Sequence, residues 1–181
     1  LSAAAPDLAA AATSCDDVAF WLYSSGSTGR PKGAPHLQAD IIHTAVYYAI
    51  AVLGIQADDV VFSAAKLFFA YGLGNAMTFP MAVGATAVLM AERPTPESVM
   101  ARLHDHQVTI FYGAPTLFAG ILADQSIDRA AASERLRRCV SAGEALPENV
   151  AQRWVERFGV DVLDGIGSTE MLHIFISNTP G

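Results

Sequence analysis

Short apolar runs alternate with stretches of helical periodicity along most of the chain, and this alternation restricts the fold more than any other feature. Val18-Ala-Phe-Trp-Leu-Tyr23, Asp59-Val-Val-Phe-Ser63, Thr86 to Met90, Thr109-Ile-Phe-Tyr112, Arg138 to Ser141 and Val160 to Leu163 read as buried strands. Between them, Ile41, Ile42, Ala45, Val46, Ala49, Ile50 and Leu53 recur at helical spacing from about Asp40, with Gly54 as a stop. Residues 71–82 can form a buried helix. Thr95-Pro-Glu-Ser98 opens another that runs to about His106: hydroxyl cap, proline in the first turn, acid near the positive end of the dipole. Further helices follow Pro115 and run from about Pro147 to Phe158. The pattern predicts an α/β fold, a mainly parallel sheet flanked by helices on both faces. In such sheets ligands bind where loops leave the strands' carboxyl ends, and the loop Ser24 to Gly33 is expected at one of them.

Length and composition narrow the function. With 181 residues, 52% of them hydrophobic, the chain can bury one sizeable core. A net charge of −7 argues against a general nucleic-acid binder, whose affinity rests on clustered Lys and Arg, so any phosphate must be held by local donors. Cys15 and Cys139 are far apart and indicate neither a zinc site nor a disulfide framework; a reducing cytoplasm is the expected location. Leu67 to Ala91 has no charged residue, but its glycines, Asn75 and Pro80 suit a lipid-facing helix poorly, and no membrane span is expected. The chain starts at Leu1, without a basic leader, and ends just after an apolar run; it reads as an internal piece of a longer protein.

Trp21-Leu-Tyr-Ser-Ser-Gly-Ser-Thr-Gly-Arg-Pro-Lys-Gly33 is the densest polar stretch. Composition leaves it open between a plain connecting loop and a phosphate cradle. Its order favours the cradle. Gly26, Gly29 and Gly33 let backbone N–H groups approach an anion, Ser24, Ser25, Ser27 and Thr28 add donors, and Lys32 adds a mobile charge. It is not a Walker A loop, because Gly33 and Ala34 follow Lys32 where that motif needs a hydroxyl for magnesium.

Tyr23-Ser-Ser-Gly-Ser-Thr-Gly-Arg-Pro-Lys-Gly33 resembles the phosphate-binding signature of the adenylate-forming enzymes, the superfamily of acyl- and aryl-CoA synthetases, luciferases and peptide-synthetase adenylation domains. Ser141-Ala-Gly-Glu-Ala-Leu-Pro147 resembles the loop that borders adenine in that family. Asp164-Gly-Ile-Gly-Ser-Thr-Glu170 resembles the motif that meets the AMP phosphate and the metal. The resemblance implies that this is part of the large N-terminal domain, with Ser24 to Gly29 and Lys32 on phosphates, Gly143, Glu144 and Ala145 at the base, and Asp164, Gly165, Ile166, Gly167 and Ser168 around the nucleotide. Thr169 would donate to the α-phosphate, and Glu170 would help hold Mg²⁺, a hard cation that takes carboxylate oxygen. Lys32, Thr169 and Glu170 are thus the implied catalytic residues. On its own, Ser-Thr-Glu also reads as a helix cap. The family often has an aromatic residue at the position of Ile166; an aliphatic one gives up about 0.5–1.5 kcal/mol of ring-specific contact.

Lys66 to Asn75 together with Gly165 to Phe175 is similar to the benzoate-CoA ligase branch. That likeness implies ATP and coenzyme A as co-substrates and a small aromatic carboxylate as the acid. Ala70 and Gly72 would leave room for a flat ring, Tyr71 and Ile166 would wall it, and His173 would meet the carboxylate or a ring substituent, the alternative being a structural imidazole. Phe68 and Phe69 are expected in the core. His36, His43, His104 and His106 read as structural or surface residues, and Lys66 as a lysine that reaches water.

Residues 1–181 therefore read as a partial AMP-binding domain, without the family's N-terminal part, hinge and C-terminal domain, and inactive by itself. Two other readings stay open: a kinase or NTPase with an unusual phosphate loop, and a non-catalytic nucleotide-binding module.

Overall fold

The computed structural model describes residues 9–25 and 29–181. Strands β3 (Val60–Ser63), β4 (Thr86–Val88), β5 (Ile110–Gly113), β6 (Arg138–Ala142), β7 (Val162–Gly167) and β8 (Ile174–Ser177) form one sheet in the order β4-β3-β5-β6-β7-β8. All neighbours are parallel except β7 and β8. The strand order reverses between β3 and β5, which is where open α/β sheets leave a crevice.

Alternate strand residues separate the core into two layers, as a period of two requires. Phe62, Phe111, Cys139 and Val162 face α4 (Pro96–Asp105), α5 (Pro115–Ala123) and α6 (Glu148–Phe158), meeting Leu103, Phe118, Trp154 and Phe158. Val61, Ile110, Tyr112, Val140 and Leu163 face the other way, onto Tyr48, Ala49 and Phe79. Burying a large side chain of this kind contributes roughly 1.5–3 kcal/mol, and Trp154, Tyr112, Phe62 and Phe111 are fully enclosed.

The second layer is built from short helical pieces. α1 (Gln38–Thr44) continues into a π-helical stretch, Ala45–Ile50; α2 (Ala70–Leu73) continues through a π-helical stretch, Gly74–Thr78, into α3 (Phe79–Val83). Pro80, which has no N–H to give, sits just past the wide turn of the second. The uncharged run from Leu67 to Ala91 is thus broken into turns, short helices and β4, and no described helix is long and apolar enough to cross a membrane. α4 starts as its sequence predicts: the Thr95 hydroxyl accepts from Ser98 N–H at 3.2 Å, and the Ser98 hydroxyl accepts from Thr95 N–H at 2.9 Å.

One expectation is corrected. β1 (Val18–Ser24) does not enter the parallel sheet; it pairs antiparallel with β2 (Lys32–Leu37), from Val18 opposite Leu37 to Ser24 opposite Lys32. The intervening residues 25–31 are enough for a hairpin and too few for the crossover that a parallel partner needs. The described ends of the expected phosphate loop, Ser24 and Lys32, therefore belong to a separate two-stranded ribbon.

At the opposite, amino-terminal edge of the sheet, Asp59 anchors three elements. Its Oδ1 accepts from Arg137 Nε at 3.0 Å and from the Thr109 hydroxyl at 2.7 Å, and Arg137 Nη2 also donates to the Gly54 carbonyl at 2.9 Å. Burial pushes the Asp59 carboxyl up, but Arg137, Thr109 and the Gln56 N–H together outweigh it and hold the pKa below the usual value.

Candidate active site

The ribbon is tied to the end of the main sheet through one buried imidazole. His36, on β2, lies 2.9 Å through Nε2 from the Thr169 carbonyl, so Nε2 carries the proton and donates. Its Nδ1 stands 3.7 Å from Asp40 Oδ2. Asp40 in turn accepts from the Leu37 N–H at 2.8 Å, which fixes the entry of α1. The residues that follow the phosphate loop thus hold the backbone of the Ser-Thr-Glu turn.

That turn, between β7 and β8, is locally ordered. The Ser168 hydroxyl accepts from Met171 N–H at 3.1 Å, Thr169 C=O accepts from Leu172 N–H at 3.2 Å, and Leu172 adopts a left-handed φ of 65°. A leucine in that region is uncommon and marks a backbone held in place by its surroundings.

Beneath the turn is a cavity of about 230 Å³, lined by Phe69, Ala70, Tyr71, Ala142, Gly143, Gly167, Ser168, Thr169, His173 and Ile174. Three chain segments contribute: the start of α2, the carboxyl end of β6, and the β7–β8 turn. The lining is mostly apolar; of its polar side chains, the Tyr71 hydroxyl and His173 Nε2 are engaged by Val140 and Asn75, and Ser168 and Thr169 supply the remaining hydroxyls. A cavity of about 150 Å³ holds benzene, so this one has room for a single ring with its carboxylate.

His173 forms part of the wall. Its ring lies 4.5 Å from Phe79 edge-on, 5.3 Å from Tyr48 and 5.6 Å from Tyr71. Burial in this aromatic box pushes its pKa down to about 3, so the imidazole is neutral at physiological pH. Nε2 is 3.0 Å from Asn75 Oδ1, while Nδ1 has no hydrogen-bond partner among the described residues. Tyr71 is fixed similarly: its hydroxyl lies 3.1 Å from the Val140 carbonyl and 3.4 Å from that of Gly113. Burial raises the phenol pKa well above the usual value, so it remains a donor.

The family model for AMP-binding enzymes matches residues 2–181.

The chain belongs to the AMP-binding enzyme family.

Among curated relatives, it is 66% identical over 172 residues to a benzoate–CoA ligase of Thauera aromatica, covering 95% of this chain and 32% of that protein. It is 53% identical, again over 172 residues, to a 4-hydroxybenzoate–CoA/benzoate–CoA ligase of Rhodopseudomonas palustris. The chain spans about a third of the length of these relatives. Among solved structures, a benzoate CoA ligase from Burkholderia xenovorans LB400 superposes with a TM-score of 0.91 at 57% identity, over 98% of this chain and 35% of that one.

The chain brings some of the expected residues together and separates others. Ala70, Tyr71, Gly143, Gly167, Ser168, Thr169 and His173 share the cavity. Gly72 does not line it. A Cβ there would come within 2.1 Å of the Lys66 carbonyl oxygen, so the glycine serves the turn into α2 and makes no room for a ring. Ile166 does not line it either; it is 60% exposed on β7. Glu170 lines an adjoining cleft of about 600 Å³ with His36, Asp40 and His43. Lys32 is exposed at the loop end of the ribbon, opposite Ser24; Ser25 and Gly29 lie in the loop, and Gly26, Ser27 and Thr28 lie outside the described residues. Glu144 and Ala145 are exposed in the loop after β6, which Gly143 enters at a φ of 97°. Asp164 accepts from Leu146 N–H at 3.3 Å and so holds that loop against β7; Gly165 follows it on the strand.

Two further expectations fail. Phe68 and Phe69 are exposed, their rings tilted against one another at 4.5 Å just before α2, with Phe69 on the cavity's rim. Lys66 is bound rather than free: Nζ donates to the carbonyls of Met90 at 2.6 Å, Ala91 at 3.1 Å and Glu92 at 2.6 Å, which orders the segment after β4. Sequence reasoning also missed His36 and Asn75. The only signal for His36 was its position just after the phosphate-loop signature, and for Asn75 a lone amide in an apolar helix.

Proposed function

We propose that the full-length protein activates an aromatic carboxylic acid, benzoate or a close analogue, with ATP, and transfers the acyl group to coenzyme A. The observation that carries this reading is the single-ring cavity: mostly apolar, bounded by Tyr71 and a neutral His173, with its polar end at Ser168 and Thr169. Its relatives, a benzoate–CoA ligase and a 4-hydroxybenzoate–CoA/benzoate–CoA ligase, support the same acid class.

In the first step a carboxylate oxygen of the acid bonds to the α-phosphorus of ATP as the bond to pyrophosphate breaks. In the second, the thiol sulfur of coenzyme A bonds to the acyl carbon, AMP leaves with the electron pair of the broken C–O bond, and the thiol proton passes to solvent. Neither step needs a protein nucleophile, so the chain's task is positioning and charge neutralisation. Ser24 to Gly29 and Lys32 take the leaving phosphates, and Thr169 donates to a non-bridging α-oxygen. The loop Gly143-Glu144-Ala145 and the strand Asp164 to Ser168 border the nucleoside, with Ile166 offering an aliphatic face. Ala70, Tyr71 and His173 seat the ring. Since His173 is neutral, it offers the carboxylate no charge; its place is against the ring.

Among the described residues no three His, Cys, Asp or Glu side chains converge as a metal site. Glu170 is exposed and fits a Mg²⁺ that takes its remaining ligands from phosphate oxygens and water; bound there, the ion would neutralise developing phosphate charge. The cytoplasm is the proposed location, on a cysteine pattern that indicates no disulfide framework.

The test is carboxylate-dependent pyrophosphate exchange by the full-length protein with benzoate, hydroxybenzoates, aminobenzoates, cyclohexane carboxylate and short fatty acids. Exchange with benzoate or its close analogues is expected. Preference for fatty acids overturns the acid assignment, release of ADP and phosphate points to a kinase or NTPase, and ATP binding without exchange points to a non-catalytic module.

A further inference from the structure

A second cavity, of about 380 Å³, shares Tyr71 with the acid pocket and no other lining residue. It occupies the crevice where the strand order reverses: Ala64 and Ala65 follow β3, Gly113 and Ala114 end β5, and Pro96 and Gly120 close it from α4 and α5. The lining is largely apolar, much of it alanine, glycine and proline, so the space exists because these side chains are small. Tyr71 is held between the two cavities at both ends of its ring. Its hydroxyl is bound to the Gly113 carbonyl at the end of β5 and the Val140 carbonyl within β6, and its ring lies against His173 at 5.6 Å and edge-on to Tyr112 at 6.3 Å.

We propose that Tyr71 is the partition that limits the acid pocket to one ring, and that the cavity behind it is a latent subsite for an apolar substituent on the acid. This rests on the functional reading above. An acid whose carboxylate meets Ser168 and Thr169 has its ring against Ala70, Tyr71 and Ala142, so a butyl or phenyl group on the ring runs into the tyrosine. Shortening that side chain joins the pocket to a space of matching chemistry. Gly120 supplies the control. A Cβ at Gly120 would meet only Pro96 Cγ, at an ordinary 3.6 Å, so a leucine there fills the second cavity from α5 without touching the acid pocket.

The experiment compares kcat/KM for benzoate with that for 3- and 4-butylbenzoate in the full-length enzyme and its Tyr71→Ala, Tyr71→Phe, Gly120→Leu and Tyr71→Ala/Gly120→Leu variants. The wild type should reject both butyl acids. Tyr71→Ala should shift the preference toward at least one of them by about tenfold or more, the scale of a few methylenes gaining an apolar site. Tyr71→Phe keeps the wall and should stay near the wild-type ratio. Gly120→Leu should leave benzoate kinetics unchanged and, in the double variant, cancel the gain. If Tyr71→Ala fails to fold, Tyr71→Leu carries the same comparison. The partition is overturned if the shortened variant still adenylates benzoate without any shift, if the gain survives in the double variant, or if the wild type already accepts the butyl acids. A wild type that adenylates no aromatic acid overturns the functional reading, and this inference with it.

Discussion

His173 shows how a single residue's environment sets its chemistry. In an unfolded chain its pKa is 6.5; in the fold it is about 3. The unfolded state therefore takes up a proton that the native state refuses, and the stability His173 permits is fully present above pH 6.5 and is lost as the pH falls towards 3. The loss can reach about 5 kcal/mol at the lower limit, from roughly 1.4 kcal/mol per unit. In His173→Phe the decline of the urea midpoint between pH 6.5 and 4 should be shallower than in the wild type; parallel curves would mean that the imidazole is not held neutral. Lys32 and Glu170 belong to the same scale. Removing one charge-assisted contact of about 1.5–3 kcal/mol, Lys32→Ala should slow adenylate formation by about ten- to a hundredfold. Glu170→Gln should raise the magnesium concentration needed for half-maximal exchange. Unchanged kinetics in both variants would remove these residues from the mechanism.

At the scale of elements, the link that matters is between the ribbon and the β7–β8 turn. His36 on β2 holds the Thr169 carbonyl, so the ribbon and the β7–β8 turn, which the proposed function assigns to the phosphates, are tied by one hydrogen bond. His36→Ala should raise the KM for ATP and lower kcat, while His36→Gln, which keeps an N–H donor, should recover part of the loss at unchanged benzoate KM. Equal damage from both variants, matched by equal losses in thermal midpoint, would reduce His36 to a packing residue. This link was not legible in the sequence. β2 reads Lys-Gly-Ala-Pro-His-Leu, without an apolar alternation and with Pro35, which only an edge ribbon tolerates. The strands β3, β5 and β6 were legible because each is buried on both faces and so reads as a short continuous apolar run. Phe68 and Phe69 misled for a related reason: hydrophobic identity says what a side chain prefers, and a turn before α2 puts them outside regardless.

For the whole molecule, the sheet is held at one edge by the pair of buried Asp59 and partly exposed Arg137 and carries the candidate site at the other. Arg137→Met would leave the buried carboxylate with only the Thr109 hydroxyl and the Gln56 N–H and should lower stability by about 1–3 kcal/mol, while leaving the KM for benzoate near the wild-type value. A urea titration beside steady-state kinetics separates the two; a rise in KM comparable to the loss of stability would mean that the edges are coupled. Residue order alone determined the layered α/β architecture, through hydrophobic periodicity, and it determined the family, through three polar motifs in fixed order. Local patterns carry that information because strand and helix burial repeat every few residues. Only the tertiary structure decided that Tyr71 and His173 share a wall while Gly72 and Ile166 do not. It also decided that β1 leaves the sheet and that Lys66 binds a loop. Each of these depends on which segments far apart in sequence come within a few ångströms, and no local pattern encodes that.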